Sequence, residues 1–216
     1  MRRATTAAWG LALLAGCTYY PGAYRPDYFN PAAARPEEKL EGRALVRMAD
    51  ADVAYVYSGR PASMVGRATE LALPLGVVVR EAAMRAFGAR FAGGAVVTSD
   101  TAACEGYRAI VTPKVNAFRY EYGAGVFFFH PDAELALSIQ VVVLDERGAL
   151  AFEKTYDSGV VRVKGRLPFV VPAQEVNEAT HRTAQDLMQR AASDLAEHLG
   201  GRWETAPAAA RAATGT

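Results

Sequence analysis

Chemistry in this chain would have to come from few groups. Its 216 residues hold three histidines and two cysteines. His181 and His198 stand seventeen positions apart, too far for one ligand pair on a helix, and His130 is remote from both. No H-E-x-x-H, C-x-x-C or EF-hand spacing occurs, so a metal would find few ligands. Asp157-Ser158-Gly159 contains a hydroxyl nucleophile, but the surrounding turn formers read as a strand connection rather than a nucleophile elbow. Gly123-Ala124-Gly125 is not followed by a helix and so lacks the geometry that cradles phosphate. Cys104 is expected to be a buried, inert thiol. No catalytic set, metal or cofactor is expected. The group whose setting does suggest chemistry is Cys17, reached after a short basic and then apolar stretch.

That stretch is MRRATTAAWGLALLAGC. Arg2 and Arg3 form a positive start, and residues 7–14 an apolar run with no polar face, which excludes an amphipathic helix. The run is far short of the roughly 18–20 residues of a membrane span and has the form of a secretory signal segment. Its end, Leu14-Ala15-Gly16-Cys17, resembles the lipobox of bacterial lipoproteins. The resemblance implies that Leu14, Ala15 and Gly16 are read by the lipoprotein signal peptidase. It implies too that the Cys17 thiol carries a diacylglycerol, and that the freed amino group takes a further acyl chain such as palmitate. A single chain binds bilayers marginally and two or more anchor stably. Thr18, where enteric-type lipoproteins retained at the inner membrane carry aspartate, implies the outer membrane. A first helix with Cys17 as an ordinary core residue is the competing reading.

Four prolines (Pro21, Pro26, Pro31, Pro36) interrupt residues 18–40, and no apolar period runs through them. An extended, polyproline-like tether is expected; about 20 residues at ~3.1 Å each would reach roughly 60 Å. Tyr19 and Tyr20 are read equally as interfacial anchors or as residues that pack on the domain or have no particular role, and Tyr24, Tyr28 and Phe29 in the second way. Residues 204–216 read as a disordered tail. Domain organisation is therefore 1–16 leader, 17–40 acylated cysteine and tether, 41–203 one domain, and 204–216 tail.

Hydrophobic residues make up 51% and charged ones 22%, normal for a globular core. The 24 Lys and Arg, less Arg2 and Arg3, leave 22 against 23 Asp and Glu, a formal charge of −1. Without a basic excess, nucleic acid is not an expected partner. Strands are expected at residues 44–48, 53–57, 95–98 and 107–122, with Pro113 marking an edge or bulge, and residues 70–73 read as a further strand or an extended lead-in. Alternation of Leu135, Leu137, Ile139, Val141 and Val143 with smaller or polar residues predicts a half-buried strand. Asp145-Glu146-Arg147-Gly148 then turns it into a hairpin with residues 150–154, and residues 160–163 extend or add a strand.

Helices are predicted over 75–91, starting at Pro74 and ending before Gly93-Gly94, and over 177–199, stopped by Gly200-Gly201. Their stripes are Val79, Ala82, Ala83, Ala86 and Phe87, and Ala184, Leu187, Met188, Ala191, Ala192, Leu195 and Leu199. The expected fold is α+β, a mostly antiparallel sheet with both main helices packed on one face. Lipobox, proline-rich segment and element order together resemble periplasm-facing lipoproteins of the YajG and ABC-transporter auxiliary type. That resemblance implies an α+β module at the outer membrane, with an envelope protein as partner and no catalytic residues to carry over. A lipid-tethered periplasmic hydrolase is the alternative. One segment stands out: Phe127, Phe128 and Phe129 lie between two strands. Burial is the expectation for them, and contact with a partner or lipid is the alternative.

Overall fold

A computed structural model describes residues 18–30, 39–63, 67, 69–100, 106–123, 132–166 and 172–205. Strand β1 (Thr18–Pro21) comes first, followed by a 3-10 turn (Pro26–Tyr28) and strand β2 (Ala44–Arg47). A four-residue helix α1 (Asp50–Val53), strands β3 (Tyr57–Gly59) and β4 (Thr69–Leu73), and helix α2 (Leu75–Arg90) come next. Strands β5 (Ala95–Thr98), β6 (Ala109–Tyr122), β7 (Ala133–Asp145), β8 (Leu150–Asp157) and β9 (Val161–Val163) precede the long helix α3 (Ala173–Thr205).

The strands make two sheets. A six-stranded sheet has the order β5-β2-β6-β7-β8, with β9 paired to the first residues of β7, and a three-stranded sheet has the order β1-β4-β3. The sheets are mostly antiparallel, as expected, but mixed rather than purely so: β2 runs parallel to both β5 and β6, and β1 parallel to β4. These parallel pairs join segments distant in sequence, which strand-by-strand periodicity cannot register.

Alternation in β7 is realised: Leu135, Leu137, Ile139, Val141 and Val143 are buried. Leu137, Ile139, Val141 and Val143 face one core with Val79, Ala82, Ala83, Ala86 and Phe87 of α2 and Ala184, Leu187, Met188, Ala191, Ala192 and Leu195 of α3. Both long helices thus bury their stripes on one face of the larger sheet. The smaller sheet contributes Leu71 and Leu73 to a second cluster with Tyr120, Tyr122, Ala133, Leu135 and Val176. Pro113 sits beyond the last β2–β6 pair, Val46 with Val111, where its missing N–H leaves no ladder bond unmade on that side. The expected bulge falls two residues further on, between Val115 and Ala117. The β7–β8 turn closes with Gly148 at φ 75°, and the Asp145 side chain accepts from the amides of Arg147 and Ala149 at 2.9 Å.

Three expectations are corrected. Residues 53–57 do not form a strand: Asp50 and Asp52 open the short helix α1, where acidic groups favour the amino end, and the strand begins only at Tyr57. Helix α3 does not stop at Gly200-Gly201 but continues to Thr205. Residues 18–30 are no free spacer. Thr18 pairs with Thr69, Tyr19 with Glu70, Tyr20 with Leu71 and Pro21 with Ala72, so the chain enters the smaller sheet as its first described residue. Tyr28 and Phe29 are buried, Tyr20 packs on the second cluster, and Tyr19 remains 59% exposed. The leader and the tail from residue 206 lie outside the described residues.

Candidate functional site

Leu14, Ala15, Gly16 and Cys17 lie outside the described residues, and so do Cys104, His130 and Phe127, Phe128 and Phe129. What is described is the chain on either side of them. Thr18, the residue after Cys17, is already in the β1–β4 ladder. The segment carrying the three phenylalanines leaves from Gly123 and returns at Asp132, whose carbonyl accepts from the Gly123 amide at 2.8 Å. It therefore bridges the β6–β7 pair at the end closed by Tyr122 and Ala133.

The stretch after Cys17 is held by a polar row on α3. Asn177, His181 and Gln185 recur every four residues and so share one helix face. Asn177 Nδ2 donates to the Ala23 carbonyl at 3.0 Å, and the Arg25 amide donates to His181 Nε2 at 3.2 Å. Gln185 grips Asn30 from both sides, accepting from its amide and donating to its carbonyl, each at 2.8 Å. Gln174 reaches the Tyr28 hydroxyl at 3.3 Å. Beyond that ladder, the Ala23 and Asn30 carbonyls and the Arg25 and Asn30 amides are thus satisfied by side chains from the other end of the chain.

His181 is the centre of this clamp. Its ring is fully buried, stacked on Tyr24 and met edge-on by Tyr28 and Phe29 at centroid distances of 5.9, 5.3 and 5.2 Å. Nδ1 lies 2.9 Å from the Asn177 carbonyl, so Nδ1 must donate there while Nε2 accepts from Arg25: a neutral imidazole of one tautomer. Burial lowers its pKa below the ordinary histidine value, with the Asn177 bond and the charge of Asp27 opposing in part. His198 is elsewhere, against the ring of Phe152, so the two helical histidines share no site. Among the described residues no three His, Cys, Asp or Glu groups gather closely enough to hold a metal.

Gly22 lets the segment enter. Its amide donates to the Ala72 carbonyl at 2.6 Å, and a Cβ there would stand 2.5 Å from Leu73 Cδ2 and 2.6 Å from the Ala72 oxygen. Because a backbone atom cannot give way as a flexible side chain can, Gly22→Ala should displace the segment and cost about 1–3 kcal/mol, as overpacking does. Denaturant unfolding of the variant against the parent measures it, and an unchanged midpoint would contradict the close approach.

A second feature is a groove of about 360 Å³ between β9 and α3. Arg166 and Arg182 both pair with Glu178, at 2.7 and 2.5 Å. Ser158 borders the groove, and its hydroxyl is engaged with backbone: it accepts from the Leu137 amide at 3.0 Å and donates to the Gly159 carbonyl at 2.7 Å. Gly159 has φ 64°, as a turn requires. The hydroxyl pins a strand connection.

The apolar stripe of α3 gives no sign of the clamp. The available signal was a second, polar row at i, i+4 and i+8 on the same helix, composed of residue types that bond to backbone. Tyr156 shows a smaller case of hidden polar structure. Its hydroxyl donates to Asp194 at 2.8 Å, and burial first, then that bond, holds its pKa well above the usual phenol value.

No family model matches the chain, and no curated protein matches it. Among solved structures, a Xanthomonas campestris protein of family DUF330 is similar over 87% of this chain and 99% of its own, with a TM-score of 0.51 and 15% identity. The likeness is one of fold. A Caulobacter crescentus chain described as a candidate lipoprotein aligns with 59% of this chain and 85% of its own, at a TM-score of 0.41 and 20% identity, too remote to bear on fold or role.

Proposed function

We propose that this chain is a bacterial envelope lipoprotein, anchored at the outer membrane through acylated Cys17 and facing the periplasm. Its α+β domain would serve as a non-enzymatic binding or accessory module in envelope assembly or transport. The observation that carries the reading is the order of Arg2-Arg3, the apolar run over residues 7–14 and Leu14-Ala15-Gly16-Cys17. Two facts support it. No helix among the described residues is long and apolar enough to cross a membrane, which fits attachment by a lipid. Ser158, the nucleophile the hydrolase alternative would draw on, is committed to backbone bonds.

Within this reading Phe127, Phe128 and Phe129 are the candidate contact with an envelope partner or lipid. Changing all three to serine should weaken crosslinking from a photoreactive residue at Val126 several-fold in intact envelopes, with the melting temperature unchanged. A variant that crosslinks as well as the parent, or one that loses its cooperative melt, would assign the three rings to the core instead.

A further inference from the structure

The anchor and the fold meet without a spacer. Thr18 is paired with Thr69, and Thr18 follows Cys17 directly, so the residue that would carry the lipid lies one trans peptide, about 3.8 Å, from a sheet position. The next residues are equally fixed: Gly22 is bonded to Ala72, and Ala23, Arg25 and Asn30 to Asn177, His181 and Gln185. Nothing in residues 18–30 is left to pay out as a tether.

We propose that the domain rests directly on the bilayer, with the end where β1 and β4 begin turned toward the lipid headgroups. The proposal rests on the acylated-Cys17 reading and adds to it the surface of the domain that meets the membrane. The occupant is the bilayer rather than a protein, because the chain itself delivers that end to the lipid. Tyr19, exposed on β1, is then at headgroup level, where aromatic rings with a polar tip are favoured.

The same end can be traced through the fold. β3 runs antiparallel to β4 with Gly59 paired to Leu71, two residues from the start of β4; the Tyr120 hydroxyl donates to the Gly59 carbonyl at 3.0 Å and the Tyr122 amide to the Ser63 hydroxyl at 2.9 Å. The close of β6 and the start of β7 therefore belong to the membrane-facing end. From Ala133, β7 runs to Asp145, about 40 Å at the usual rise per residue, which carries the Asp145–Gly148 turn to the opposite end.

Energy transfer to headgroup-labelled lipid tests the orientation. Arg67→Cys and Arg147→Cys, each in a Cys104→Ser background, place a dye near the β4 start and in the far turn; both positions are exposed. The full chain, processed and acylated in cells, is reconstituted into vesicles of phosphatidylethanolamine and phosphatidylglycerol bearing a little rhodamine-headgroup lipid. Transfer from position 67 should exceed that from position 147 by at least about threefold, given a separation on the scale of β7. Equal transfer from the two positions, or more from 147, would overturn the docked orientation while leaving acylation intact. Failure of the labelled chains to associate with vesicles at all would overturn the acylation reading, and the orientation with it.

Discussion

Cys17→Ala is expected to abolish both membrane association and incorporation of labelled palmitate. The magnitude follows from the anchor. Each buried CH2 contributes about 0.8 kcal/mol, so two or three acyl chains hold effectively permanently where one binds only marginally. The leader offers no substitute: residues 7–14 would form a helix about 12 Å long against a hydrocarbon core of about 30 Å. Fractionation of envelopes with and without the substitution measures the effect. Unchanged sedimentation with membranes together with unchanged palmitate labelling would leave Cys17 as an ordinary residue of a first helix.

His181→Ala should be the most damaging single change in the docked N-terminal segment, at about 3 kcal/mol. Removing the ring empties a site ringed by Tyr24, Tyr28 and Phe29, and it strips the Arg25 amide of its acceptor, so cavity and unsatisfied-donor costs combine. Hydrogen exchange at the Arg25 and Asn30 amides should accelerate well beyond that of β7. Protection equal to the parent's would contradict the clamp. The same residue sets a pH dependence. Burial lowers the folded pKa of His181, while an unfolded histidine titrates near 6.5. As pH falls below about 6.5 the unfolded chain takes up a proton that the folded one refuses, so stability drops, by up to about 1.4 kcal/mol per pH unit. Above that value the contribution is fully present and flat. Asp27, whose charge faces the ring and favours protonation, reduces the effect without reversing it. The slope assigned to this site should be missing from the His181→Ala chain.

What the sequence made legible was local. The β7 alternation, the Asp145–Gly148 turn and the α2 stripe each depend on neighbours a few residues apart, and each is found as read. The N-terminal segment was illegible for the converse reason. Arg25 meets His181 across 156 positions and Asn30 meets Gln185 across 155, so nothing near them announces the contact. Prolines that argue for an extended tether are also compatible with a four-residue strand ended by Pro21 and a 3-10 turn opened by Pro26. The parallel pairing of β2 with β5 and β6 was hidden in the same way, because it depends on what α2 and the smaller sheet bring back to β2. Gly200-Gly201 signalled a stop that the helix passes through, a reminder that glycine weakens a helix by about 1 kcal/mol without forbidding it.

The docked segment changes what an anchor at Cys17 would mean: in place of a domain on a roughly 60 Å leash, a sheet that starts at the lipid. Everything then turns on the covalent state of one residue. The most direct measurement is the mass of the amino-terminal peptide of the protein isolated from membranes. The expected peptide begins at Cys17 and carries a thioether-linked diacylglycerol and an amide-linked acyl group. A peptide in which Gly16 is still joined to an unmodified Cys17 would contradict it.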